Sequence, residues 1–269
     1  MIHTLTSRLK LLMLIYSQRK HKNTNMKSII LDGSEASMMA FLSREASRLL
    51  GSDKTNPKSF PEFSVGRGIA DLYIVDEDRS ALRKRKNLDI PAITDKTQNQ
   101  IIELIGRASG IPFQELSVYL KRNRLTNTDH HLNVLFKQGV IYSENARVYV
   151  KEIANTNVIR HSVAIEAKVS DWRKGIKQAL RYKNFADKSY LALYETHVRT
   201  AKENIHVFEA LNIGLIGVSD AGLNVYFEPQ VNDKDPVKCL LASERVYSLI
   251  DNGQNGFVAR NGLAANATT

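Results

Sequence analysis

The chain has 269 residues, 43% of them hydrophobic and 25% charged, with one cysteine and a formal net charge of +10. That describes an ordinary soluble globular protein, long enough at ~100–150 residues per domain to hold two units. The lone Cys239 excludes an intramolecular disulfide and a cysteine metal cluster and fits a reducing cytoplasm, while the positive balance favours a polyanionic partner, nucleic acid first.

Residues 1–25 carry Arg8, Lys10, Arg19, Lys20 and Lys22 and no acid, so half of the net charge sits there. The run Leu11–Tyr16 is short of the ~20 apolar residues that span a bilayer, and no small-residue cleavage site follows it. This segment reads as a basic, disordered extension, with Met26 resembling a fresh start, and no membrane association is expected.

Apolar positions at helical spacing over 35–50, stopped by Gly51, predict a helix. Lys54–Pro61 reads as a polar loop, and Phe63–Gly66 and Ile69–Val75 as two strands turning at Gly66-Arg67-Gly68. From Asp76 a charged linker is expected, with Arg83-Lys84-Arg85-Lys86 as its solvated centre. Three helices follow: Thr97–Ala108, Phe113–Lys121, and a third capped by Thr126 or Thr128 and ended by Gly139. Val140–Tyr142 and Arg147–Lys151 flank a turn at 143–146. The order of three helices and a two-stranded wing over 94–152 resembles a winged helix-turn-helix domain. That fold either places its third helix in the major groove of DNA or serves protein contacts. Beyond it, strand 162–169, helix 171–183, strand 189–194, helix 202–212, strands 213–218 and 222–227, helix 236–250 and a frayed tail over 251–269 complete the chain.

Two of these strands carry the chemistry. In an extended chain Glu166 and Lys168 share a face, with Ala167 turned the other way, and Asp71 stands among Ile69, Ala70, Leu72 and Tyr73. Charges set in apolar strands are costly without a partner or a metal. Asp71, then Glu166-Ala167-Lys168, then a helix with Gln178 and Tyr182 together resemble the PD-(D/E)XK, or restriction-endonuclease-like, nuclease superfamily. The likeness spans most of 35–228 outside the winged-helix stretch, with Ala70 standing where the family name has proline.

The resemblance implies an α/β fold: a mixed central sheet flanked by helices, built from 26–90 and 153–250 and interrupted by the winged helix. It implies Asp71, Glu166 and Lys168 as catalytic residues. Mg²⁺, with Mn²⁺ as substitute, would sit on Asp71, Glu166 and the Ala167 carbonyl, with Glu45 on the first helix as a further ligand candidate. Gln178 and Tyr182 match the Q-x-x-x-Y pattern that lines the nucleic-acid side of the site; as neighbours at i, i+4 they could instead satisfy one another. The implied activity is hydrolysis of DNA, endonucleolytic rather than exonucleolytic, with a homodimer left open. Lys121, Arg122 and Arg124 would contact phosphates, or form a solvated rim, and Asn127, His130 and Asn133 would face the bases. Trp172 reads as packing, and adjacent His130 and His131 diverge on a helix, which argues against a two-histidine metal site. Two other readings stand beside the nuclease: a non-cleaving DNA-binding regulator on the same fold, and a protein-interaction subunit using the winged helix as an adaptor.

Overall fold

The computed structural model describes residues 31–51, 57–66, 68–254 and 257–258. The basic N-terminal extension, the Arg67 turn position and most of the expected tail lie outside these residues. The first element, α1 (Glu35–Arg44), starts at Ser34, whose hydroxyl accepts the Ser37 N–H at 3.2 Å, and buries Met38, Phe41 and Leu42. A short α2 (Ala46–Leu49) follows after Glu45.

Strand β1 (Lys58–Ser64) begins inside the expected loop. Pro61 lies within β1; among the described residues this strand has no outer partner beyond Ser59, and an edge strand tolerates a missing N–H. Phe60 and Phe63 point into the core and hold it in place. It pairs antiparallel with β2 (Ile69–Glu77), which pairs antiparallel with β6 (Ile159–Lys168). Strands β7 (Lys188–Tyr194) and β8 (Gly214–Ser219) follow in parallel, and β9 (Gly222–Phe227) closes that edge antiparallel. Of the expected tail, Phe257–Val258 (β10) adds to the far edge against β1. The result is a seven-stranded mixed sheet in the order β10-β1-β2-β6-β7-β8-β9.

Helices cover both faces. On one, α1 packs on Leu72, Ile74, Val163, Ile165, Ala167 and Ala192. On the other lie α7 (Trp172–Ala179), continued by a tighter turn over Leu180–Asn184, then α8 (Arg199–Glu203), α9 (Ile205–Leu211) and α10 (Pro236–Asp251). Because both faces are covered, β7 reads as a nearly unbroken apolar run, SYLALY.

Residues 78–158 leave at the end of β2 and return at the start of β6, two neighbouring strands, and the Asp78 N–H donates to the Val158 carbonyl at 2.7 Å where they part. This excursion holds α3 (Arg79–Asn87), α4 (Lys96–Arg107), β3 (Ile111–Pro112), α5 (Phe113–Arg122), α6 (Thr128–Lys137), β4 (Ile141–Glu144) and β5 (Arg147–Val150). The three strands form a second sheet, β3-β5-β4, and the β4–β5 turn uses Asn145 and Ala146, both at positive φ, as a tight hairpin requires. Ile101, Ile102, Ile105, Leu116, Leu120, Leu135 and Val148 give it a core of its own, which Leu240 of α10 also enters. Neither expected threonine caps α6: Thr128 lies in its first turn, and Asn127 holds the cap position at φ 52° with no side-chain cap bond.

The expected solvated linker is instead helix α3. Asp78 caps it, accepting N–H bonds from Ser80 and Ala81, and Ala81, Leu82 and Arg85 face inward. Arg85 is 0% exposed: its guanidinium forms a two-pronged pair with Glu244 of α10, stacks 4.4 Å from the Tyr247 ring centroid and donates to the Pro91 carbonyl at 3.0 Å. Glu244 also accepts the Ile93 N–H at 2.7 Å, so one buried pair ties the path between α3 and α4 to α10. Among the described residues no helix is long and apolar enough to cross a membrane.

Candidate active site

The antiparallel register sets Leu72 opposite Ile165, so one step further Asp71 comes level with Glu166. The Asp71 carboxylate then takes the place of a ladder partner, accepting the Ala167 N–H at 2.8 Å. Glu166 is 0% exposed, and the Tyr182 hydroxyl donates to it while lying 2.6 Å from the Ile69 carbonyl oxygen. Lys168 turns back over this pair. Its Nζ stands 2.6 Å from Glu166 Oε1 and 3.7 Å from Asp71 Oδ2, and donates to the Ala167 carbonyl at 2.9 Å. A third carboxylate, Glu35 in the first turn of α1, comes within 3.6 Å of the same nitrogen.

Three carboxylates thus share one ammonium in a half-buried place, which leaves excess negative charge there. Burial pushes the Asp71 carboxyl above the usual carboxylate range, against the Ala167 N–H and Lys168, which pull it down. Glu166 is raised by burial and by the Asp71 charge, against Lys168 and Tyr182. For Lys168 burial works against the ammonium, but Glu166, Asp71 and Glu35 outweigh it and hold the group above the ordinary lysine value. It is therefore charged at neutral pH.

The donor set is all hard oxygen, the kind Mg²⁺ and Mn²⁺ prefer. Among the described residues no group of three His, Cys, Asp or Glu side chains is arranged to hold a metal ion, and the Lys168 ammonium lies within 3.7 Å of the Glu35, Asp71 and Glu166 oxygens. A cation of this chain's own making thus stands among ligands suited to a hard metal ion, and by donor chemistry the residues fit one.

The other expected positions are placed as follows. Glu45 lies at the break between α1 and α2 and makes no hydrogen bond or ion pair with the cluster; Glu35, nearly three helical turns earlier, is the acid of that helix that reaches it. Tyr182 is 1% exposed, so it orients Glu166 rather than facing nucleic acid. It does not bond Gln178, whose buried Oε1 has no hydrogen-bond partner among the described residues. Trp172 packs on Phe208 with ring centroids 5.7 Å apart. In the excursion Lys121, Arg122, Arg124, Asn127, His130 and Asn133 are all exposed, whereas His131 turns inward, 3.7 Å from Asp95.

Gly175 of α7 gives no motif signal, yet it shapes the site. A Cβ there would fall 2.4 Å from Leu191 Cδ1 and 3.1 Å from Lys168 Cγ, so only glycine lets the lysine stem pass between helix and sheet. Gly175→Ala is expected to displace Lys168 and cut any catalysis by about a hundredfold, as ångström-scale misplacement does, in a protein that still melts cooperatively. Steady-state rates and thermal melts of the purified variant check this.

The raised Asp71 carboxyl carries a stability consequence. The folded chain binds that proton more tightly than the unfolded one, so stability falls as pH rises from the unfolded pKa through the folded one and stays reduced at neutral pH. Asp71→Asn, whose amide oxygen still accepts the Ala167 N–H, is expected to stabilise the chain by about 0.5–2 kcal/mol at pH 7 and less at pH 4. Urea unfolding in EDTA at the two pH values measures it. Comparison with family models, with characterised proteins and with solved structures finds no match to this chain.

Proposed function

We propose that this chain is a divalent-metal-dependent deoxyribonuclease with a restriction-endonuclease-like core of the PD-(D/E)XK type, interrupted by a winged helix over 94–152 that grips duplex DNA. The observation that carries this reading is the set of three carboxylates and a backbone carbonyl around the half-buried Lys168 ammonium, at the seam of β2 and β6. Asp71, Glu166 and the Ala167 carbonyl would hold Mg²⁺ or Mn²⁺, with Glu35 beside them. When bound, such an ion acidifies water and offsets negative charge on a phosphate.

The side chains have distinct parts. Lys168, held protonated by its acid neighbours, donates to an anionic phosphate oxygen and offsets charge as the bond to the leaving oxygen breaks; it does not take the proton from water. Ala167 N–H fixes the Asp71 carboxylate and Tyr182 fixes Glu166, so neither has to be ordered when substrate arrives. A purified sample is expected to cut plasmid or single-stranded DNA in Mg²⁺ and Mn²⁺ and to be inert in EDTA. Binding without cleavage in every metal would favour a non-cleaving regulator.

For the winged helix, the supporting observation is layout: α4, α5 and α6 with the two-stranded β4–β5 hairpin, and Lys121, Arg122 and Arg124 exposed just before α6. Phosphate contacts release counterions, so duplex affinity in EDTA is expected to fall steeply with salt. Neutralising two of these three residues is expected to flatten the slope of log affinity against log salt by about two units. A slope unchanged in the variants would assign this face to protein contact.

A further inference from the structure

Strands β6 and β7 run parallel, so both end on the same side of the sheet, the place where α/β proteins receive ligands. There the turns after Lys168 and after Tyr194, with the starts of α7 and α8, line an open cleft of about 480 Å³. Its lining is rich in groups that bind oxyanions: the hydroxyls of Ser170, Thr196 and Thr200 and the guanidinium groups of Arg173 and Arg199. His197 also lines it, with Nδ1 2.8 Å from Thr196 Oγ1. The single lining carboxylate, Asp171, is engaged in its own helix, accepting the Lys174 N–H at 3.0 Å.

Both arginines are available. The Arg173 guanidinium lies over the Trp172 ring, 4.6 Å from its centroid, a contact that does not use its hydrogen-bond donors. Among the described residues Arg199 pairs with Glu203 on its own helix, where both side chains are largely exposed, a contact worth little and easily exchanged for a phosphate. Nothing in the catalytic cluster accounts for these residues. Ser170 follows Lys168 by two positions, within about 7 Å of chain, so the cavity adjoins the end of the strand that carries the cluster's lysine.

We propose that this cavity is a second phosphate site, holding the phosphodiester that neighbours the scissile one on the cleaved strand. Its taste for phosphate stands on the lining alone, while its assignment to a nucleic-acid strand rests on the nuclease reading. Two measurements on the full chain test it, each in wild type and in the Arg173→Ala/Arg199→Ala variant. Both arginines are exposed, so the variant is expected to fold, and a thermal melt verifies that.

In the first, inorganic phosphate is titrated calorimetrically in EDTA; saturable binding at least about tenfold weaker in the variant is expected. In the second, single uncharged methylphosphonates are walked along a short DNA substrate in Mg²⁺. Wild type is expected to lose about tenfold in cleavage at one position flanking the cut, and the variant to be indifferent there. Phosphate binding lost in the variant supports the site even if the protein cuts no DNA, which separates this inference from the nuclease reading and makes free phosphate the ligand. If neither readout is present in wild type and lost in the variant, the proposal is overturned.

Discussion

Alanine at Asp71, Glu166 or Lys168 is expected to lower DNA cleavage in Mg²⁺ by about a thousandfold or more, while duplex affinity in EDTA changes little. The separation arises because the cluster lies at the β2/β6 seam, whereas the exposed basic residues near α6 belong to another sheet and core. Each substitution removes a different part: a hard-oxygen ligand fixed by the Ala167 N–H, a ligand fixed by Tyr182, or the protonated donor. Tyr182→Phe keeps all three groups and removes only the hydroxyl that orients Glu166, so a smaller loss of about ten- to a hundredfold is expected. Matched cleavage and filter-binding assays on the four variants check this ordering. Equal cleavage by wild type and all variants would trace the activity to a contaminant, and an inactive wild type would end the nuclease assignment.

The largest effect on stability is expected at the Arg85–Glu244 pair. Both side chains are 0% exposed, and the acid also holds the Ile93 N–H. Removing one partner leaves the other charge buried and uncompensated, so Arg85→Ala or Glu244→Ala is expected to destabilise by about 3–5 kcal/mol. Replacing both at once by Met and Leu removes the desolvated charges together and is expected to be close to neutral, apart from the lost bonds to Ile93 N–H and the Pro91 carbonyl. Urea midpoints of the two single variants and the double variant measure the coupling. Additive effects would mean that the pair does not act as a unit.

Local pattern alone determined much of this protein. The alternation in IADLYIV and HSVAIEAKV placed one acid on one strand and an acid and a lysine on one face of another, and a sheet pairing those strands brings the three together. Helical periodicity in 94–152, with glycine at its ends, marked α4, α5 and α6, and an apolar run marked β7, because burial on one or both faces writes itself into spacing. Only the tertiary structure decided the rest, since it depends on residues far apart in the chain. Basic composition over 83–86 hid an amphipathic helix whose inward face includes an arginine, legible only once Glu244, 159 residues later, is seen against it. The choice between Glu35 and Glu45 turned on where α1 crosses the sheet, which periodicity does not encode. The polar stretch 54–61 reads as a loop, yet Pro61 sits in a strand, because among the described residues that stretch has an open edge where a missing N–H is tolerated. Tyr182 looked like a surface that meets nucleic acid and is a buried support, because the Glu166 carboxylate it must hold comes from another element. Spacing reports which face a residue takes; what meets it there is set by the packing of distant segments.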